Sequence, residues 1–187
     1  MGKLIIISFI TLDGVVEDPD GSDGTTFGGW AMRHGPDAVA GDKFRLGQVL
    51  DTATLLFGRH TWEHFSRLWP RRDDPFSTQM NRASKAVVTS RPLNLAAWSN
   101  SAVVSEPVED WLAYVQRATD VVVIGSTRLV ERLMTAELVD EYRLLTFPTA
   151  IGQGRRLFTK PTVLQLVSSQ AGEHTVLTIL RPEGASA

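Results

Sequence analysis

Three stretches of the 187-residue chain place a small or polar turn directly after a run of buried-strand character: Gly58-Arg59-His60-Thr61, Thr89-Ser90-Arg91 and Gly125-Ser126-Thr127-Arg128. A strand that gives way to such a turn, and then to a helix or loop, aims main-chain N–H groups and a helix N-terminus at one point. That arrangement holds an anion without burying a counter-charge. Each turn also carries an arginine, whose planar guanidinium offers phosphate paired, charge-assisted hydrogen bonds where lysine offers a point charge. Arginine outnumbers lysine 15 to 4 here, so one arginine at one turn says little. Three such turns at the ends of successive strands predict a phosphate-binding edge.

Other constellations carry less. His60 and His64 lie four apart, but no Glu follows His60 and no third ligand is evident, so the pair reads as a solvated helix face and no metal site is expected. Asp18, Asp20 and Asp23 stand among Gly21 and Gly24, but their spacing is not that of a calcium loop, whose twelfth-place glutamate is here Gly29. The segment 17–29 reads as a flap. Cysteine is absent, which excludes disulfides, thiolate metal sites and a cysteine nucleophile and suits a reducing cytoplasm.

The elements that must position the turns follow from hydrophobic pattern. Apolar runs without polar alternation at 4–9, 54–57, 86–89 and 121–124 predict strands covered on both faces, with a short one at 103–104. Helical spacing predicts helices from Pro36 through Val39, Phe44, Leu46, Val49 and Leu50, from about Thr61 to Pro70, over 108–117 and over 127–133. After Leu138 the period changes to two, predicting strands at 142–147, 163–169 and 175–180. A parallel beginning and an antiparallel end make a mixed sheet. No linker or repeat interrupts it, and residues 1–187 are expected to form one domain. Lys plus Arg (19) nearly balances Asp plus Glu (21), so neither nucleic acid nor an acidic membrane surface is an expected partner.

At these residues a family resemblance emerges. Gly58-Arg59-His60-Thr61-Trp62-Glu63 resembles the strand-to-helix motif of dihydrofolate reductases, and Val123-Ile124-Gly125-Ser126-Thr127-Arg128-Leu129 their second glycine turn. The tail is closer to the reductase domain of riboflavin biosynthesis and its bacterial relatives: Leu138-Val139-Asp140-Glu141-Tyr142-Arg143-Leu144, Phe147-Pro148 and Ile151-Gly152-Gln153-Gly154-Arg155-Arg156-Leu157-Phe158 are similar to its signature. Ser8, Leu12-Asp13-Gly14 and Gly28-Gly29-Trp30 fit the same N-terminal pattern.

The resemblance implies a three-layer αβα fold of dihydrofolate-reductase type and NADPH as cofactor. Arg59 with Ser90 or Arg91 would hold the adenosine 2′-phosphate, His60 and Thr61 would lie near the pyrophosphate, and Gly125, Ser126, Thr127, Arg128 and Leu129 would wrap its other side. Ile7 would lie beside the nicotinamide. Counted back from Gly58, Asp42 takes the position resembling the substrate-binding carboxylate; the other reading is an exposed aspartate early in a helix. Asp13 is its rival at the active-site mouth, although Asp-Gly is also ordinary turn chemistry. A raised carboxylate pKa at one of the two would shape the rate profile. Trp30 is a candidate platform for a flat substrate, or loop packing. Dihydrofolate reductases have two glycines where this chain has Gly125-Ser126, which puts the turn's backbone geometry in question.

The activity so implied is NADPH-dependent reduction of a small heterocycle, pterin- or pyrimidine-like, by a cytoplasmic homodimer. The alternatives are the riboflavin-pathway reductase itself, whose substrate carries a ribose phosphate, dihydrofolate reductase proper, and an NADPH-binding module without catalysis.

Overall fold

The protein is described by a computed structural model covering residues 1–40 and 42–183. Eight strands, β1 (Leu4–Thr11), β2 (Thr54–Gly58), β3 (Ser84–Val88), β4 (Ser101–Val104), β5 (Val121–Ile124), β6 (Glu141–Phe147), β7 (Leu164–Ala171) and β8 (Val176–Pro182), form one sheet in the order β4-β3-β2-β5-β1-β6-β8-β7. β2 pairs parallel with β3 and β5, and β3 with β4, whereas β8 pairs antiparallel with β6 and β7. The expected mixed sheet is thus present. The chain falls into two compact units, one of Met1–Ile6 with Leu46–Val139, the other of Ile7–Arg45 with the chain from Asp140 on.

The first unit carries the helices α1 (Val49–Thr52), α2 (Arg59–Leu68), α3 (Pro75–Arg82), α4 (Val108–Val115) and α5 (Thr127–Thr135). Leu55, Leu56, Phe57, Val121, Val122 and Val123 are all 0% exposed, the reason their sequences show no polar alternation. Register sets the strand ends level: Gly58 stands opposite Val88, and Leu56 opposite Val123. The turns that follow β2, β3 and β5 therefore leave from one edge.

α3 is a helix that the hydrophobic pattern does not predict. Asp74 caps it by accepting from the Ser77 amide at 3.0 Å, with Pro75 in its first turn, a start signal legible in the dipeptide itself. At its far end the buried Lys85 donates to the carbonyls of Asn81 (3.0 Å) and Ala83 (2.6 Å), and its ammonium sits 4.7 Å from the centre of the Trp98 ring.

The second unit is built around Trp30, Leu145, Phe147 and Leu177, with Phe9 and Phe44 against them. Here the expected helix running from Pro36 to Leu50 does not form. A 3-10 turn at Pro36–Ala38 and the short α1 are its only helical parts among the described residues, and Gly41 lies outside them. Arg45 (φ 52°) and Gly47 (φ 43°) take left-handed conformations that no helix contains. The physical reason is divided allegiance: Phe44 stacks on Phe9 at 5.6 Å in the second unit, whereas Leu46 and Leu50 are buried in the first. No helix among the described residues is long and apolar enough to cross a membrane.

Candidate functional site

In the first unit β2 ends at Gly58, which serves as N-cap of α2, and Ser126 is the N-cap of α5; neither helix start has a side-chain cap. The leading N–H groups of both helices are thus not taken by capping side chains, the configuration that accepts an anion. The Gly125-Ser126 peptide is cis, with Gly125 at φ 63°. The two turns close on each other: a Cβ on Gly58 would run into the Ser126 side chain, and one on Gly125 would meet the Thr61 hydroxyl oxygen at 2.9 Å. Ser126 therefore occupies the space that only a glycine at 58 leaves open.

Arg59, the first residue of α2, donates from Nη1 to the Pro92 carbonyl at 2.9 Å and pairs through Nη2 with Glu63 at 2.8 Å, its side chain 33% exposed. That contact brings the loop after β3 to Arg59. In the loop, the Arg91 amide donates to the Thr89 hydroxyl at 3.1 Å, leaving Ser90 and Arg91 exposed. His60 and Arg128 are exposed, Thr61 and Thr127 half-buried, and Leu129 buried, so that Leu129 can offer a ligand only main chain. Gly58, Arg59, Thr61, Gly125, Ser126 and the 90–92 loop thus come together. Among the described residues no three metal-ligating side chains gather.

In the second unit the expected residues diverge. Asp13 accepts hydrogen bonds from the Thr11 hydroxyl (2.6 Å) and from the amides of Gly152 (2.6 Å) and Ile151 (3.1 Å). The Thr11 hydroxyl first, then the Gly152 amide, hold its pKa down at about 2, against a smaller opposing effect of burial. This corrects the expectation of a raised pKa at Asp13, because every one of these donors favours the carboxylate. Trp30 is likewise corrected as a platform. It is 0% exposed, its ring packs edge-on to Phe147 at 5.5 Å, and its indole N–H is held by the Glu17 carbonyl at 2.8 Å. Ile7 is 3% exposed within β1.

The loop 17–29 closes on Asp18, a 3% exposed carboxylate that accepts from the Asp23 and Thr25 amides and the Thr25 hydroxyl at 2.8–2.9 Å. Burial opposes the charge, but these donors outweigh it and the Asp18 pKa is lowered. Asp42 is exposed on a turn, not a helix. It lines a cavity of about 380 Å³ with Asp37, Lys43, Arg45, Leu145 and Leu177 among its walls.

Two residues without an assigned role in the sequence brace the backbone at Arg45, which is part of that lining. Arg143 on β6 pairs through Nε with Glu141 at 2.8 Å, and its Nη1 donates to the carbonyls of Phe44 (3.1 Å) and Arg45 (2.6 Å). The visible signal is Glu-x-Arg on a period-two strand, which puts both charges on one face.

The signature from Ile151 to Phe158 has a structural job as well. The Val16 amide donates to the Arg155 carbonyl and the Leu157 amide to the Gly14 carbonyl, both at 3.0 Å, so the stretch pairs with the loop after β1.

A family model described as the RibD C-terminal domain matches residues 2–178. Among curated proteins, the uncharacterized protein YyaP of Bacillus subtilis (strain 168) is 24% identical over 163 residues, 83% of this chain and 80% of the relative. Among solved structures, the "Putative riboflavin biosynthesis protein" from Shewanella sp. PV-4 superposes with a TM-score of 0.72 at 16% identity, covering 97% of this chain and 99% of that one. Dihydrofolate reductase from Enterococcus faecalis, complexed with NADP(H) and RAB-propyl, superposes with a TM-score of 0.62 at 21% identity over 97% of each chain. These likenesses establish the dihydrofolate-reductase-like fold.

Proposed function

Because the chain belongs to the RibD C-terminal domain family, we propose that it is an NADPH-dependent reductase acting on a small heterocycle of pterin- or pyrimidine-like type. The observation that carries the reading is the pair of interlocked glycine turns, Gly58 against Ser126 and Gly125 against Thr61, at two helix starts without side-chain caps and beside Arg59. This cradle fits a dinucleotide: main-chain N–H groups at the starts of α2 and α5 for the pyrophosphate, and Arg59 with Ser90 or Arg91 for the adenosine 2′-phosphate. His60 and Arg128, both exposed, flank the same turns. When bound, NADPH supplies the hydride. The chain's own task is to bind and orient. Of the two candidate carboxylates, Asp13 is committed to three donors of its own fold, whereas Asp42 lines the cavity.

The test is NADPH oxidation followed optically against dihydropterins, pyrimidinones and quinones. Turnover with any of them supports the reductase; tight NADPH binding with no turnover across the panel assigns a binding module instead.

The same reading extends to a homodimer. β7 ends the sheet and exposes Leu166 (60%) and Val167 (44%), an edge that a second copy would cover. Sedimentation at micromolar concentration should give twice 20.6 kDa; a monomer overturns this part.

A further inference from the structure

The segment 17–29 reads in the sequence as a flap, and the fold gives it the form of a closed strap. Its ends are drawn together: the Gly29 amide donates to the Asp18 carbonyl at 2.9 Å, and the Ala31 amide to the Pro19 carbonyl at 3.0 Å. Trp30 follows at once, 0% exposed and with its indole N–H on the Glu17 carbonyl at 2.8 Å, so the core of the second unit holds both ends of the loop. A compact loop that meets itself at the neck and packs on its own side chains is an Ω-loop.

Inside the loop the packing side chain is a carboxylate. Asp18, held at φ 49°, receives the Asp23 amide on one oxygen at 2.9 Å, and the Thr25 amide and hydroxyl on the other at 2.9 and 2.8 Å. A buried charge is tolerated only where hydrogen bonds replace its water, and charge-assisted bonds are roughly twice as strong as neutral ones. Opening the loop would therefore give up preformed donors to a carboxylate that is 3% exposed, and would unseat Trp30 as well. Gly28 makes room for the arrangement, since a Cβ there would run into Asp18 Oδ2.

The loop is also bolted from outside. Glu17 Oε2 accepts from the Arg155 amide at 2.8 Å, and the Arg155 carbonyl in turn accepts from the Val16 amide at 3.0 Å. Farther along, the Phe27 ring lies against Gly154, where a Cβ would come within 3.0 Å of two ring carbons. We infer that residues 17–29 form a permanently closed strap, with Asp18 as its internal bolt and Glu17 and Phe27 fixing it to the 152–155 turn, so that a ligand of the second unit meets a wall of fixed shape and does not wait on loop opening. This gives Gly28, Trp30 and Gly154 one shared task, and it stands independently of the reductase reading.

Hydrogen exchange and relaxation dispersion, measured by NMR on the full chain, test it, with thermolysin, which cuts before apolar residues such as Phe27, as a second probe. The Asp23, Thr25 and Gly29 amides and the Trp30 indole N–H should exchange roughly a hundredfold more slowly than the amide of the exposed Thr26. No residue from 17 to 29 should show millisecond dispersion. Asp18→Asn, which turns an amino group toward donors, should speed exchange at Asp23, Thr25 and Gly29 by about tenfold or more and admit thermolysin before Phe27, while the Leu145 and Phe147 amides keep their rates. Gly154→Ala should also admit thermolysin there, with the Asp23 and Thr25 amides still protected because the internal bolt remains. Loop amides that exchange as fast as Thr26, millisecond dispersion across 17–29, or wild-type exchange in Asp18→Asn overturn the proposal. Should Asp18→Asn fail to fold, Thr25→Val, which removes only the hydroxyl, takes its place: faster exchange at Asp23 supports the strap, and an unchanged rate overturns it.

Discussion

In the first unit the candidate site residues sit within one or two positions of a strand end, and the fold places them by register alone: Gly58, Thr89 and Gly125 follow parallel strands that stop level. In the second unit the corresponding residues lie on loops, held by hydrogen bonds between positions as far apart as Asp13 and Gly152, 139 residues along the chain. The first site is thus specified by short local motifs, the second by pairings between distant loops. A substitution in the first unit should act through a neighbouring turn, and one in the second through a remote loop.

The sharpest break is expected at Gly58. Its φ of −76° suits any residue, so the effect of Gly58→Ala is purely the collision with Ser126. Overpacking of this kind costs about 1–3 kcal/mol of stability, and because the contact forms the cradle, NADPH affinity should fall with it. Ser126→Gly in the same chain should recover most of the loss, read by cofactor fluorescence titration and thermal unfolding. Absence of that rescue would separate the two turns.

Lys85 tests whether the first unit tolerates a charge it encloses. Burial lowers its pKa from 10.5 to about 8. Between those values the unfolded chain holds the proton that the folded chain has released, so the Lys85 contribution to stability rises with pH across that window. At about 1.4 kcal/mol per pKa unit the limit is about 3 kcal/mol, and part of it is offset where the Asn81 and Ala83 carbonyls favour the ammonium. Wild type should therefore gain about 1–2 kcal/mol on Lys85→Met between pH 8 and 10.5 in urea unfolding. A pH-independent difference removes the buried charge from the account.

Arg59→Ala should weaken NADPH about tenfold and leave NADH nearly unchanged, since a charge-assisted hydrogen bond contributes roughly 1.5–3 kcal/mol and less at a partly exposed position. The Glu63 partner at 2.8 Å competes for the guanidinium, so Glu63→Gln should tighten NADPH modestly. Equal losses for both cofactors would make Arg59 a structural residue.

The contrast between the units also explains what could be read from sequence. Runs such as Leu55-Leu56-Phe57 announce themselves because strands covered on both faces have no polar alternation, and their turns follow without further information. Phe44 and Leu46 share a helical period but serve different cores, which periodicity cannot register. Trp30 and Asp13 occupy positions where the family pattern suggests chemistry, yet their partners, Phe147 and the 151–152 amides, are more than a hundred residues away. The Arg143 brace on Phe44 and Arg45 was hidden for the same reason, its separation being 98–99 residues.

Asp13 yields the smallest expected effect and the most direct test of the second unit's remote pairing. Its carboxylate is depressed from 3.8 to about 2, by the Thr11 hydroxyl first and the Gly152 amide next. A lowered folded pKa means that the contribution is fully present above pH 3.8 and is lost as pH falls through about 2. Asp13→Asn keeps one carbonyl acceptor but cannot accept from Ile151, Gly152 and Thr11 together through two oxygens. Its stability should therefore fall slightly at neutral pH, and the gap from wild type should close on acidification through that window. Hydrogen exchange should accelerate at Ile151 and Gly152, on the loop that Asp13 holds, and not at Gly58 or Ser126 in the first unit. The rate profile between pH 5 and 9 should keep its shape, because a group with a pKa near 2 is ionised throughout. A shifted inflection in that range, or exchange rates unchanged at both amides, would return Asp13 to the reaction and dissolve the distinction between a local and a remote design.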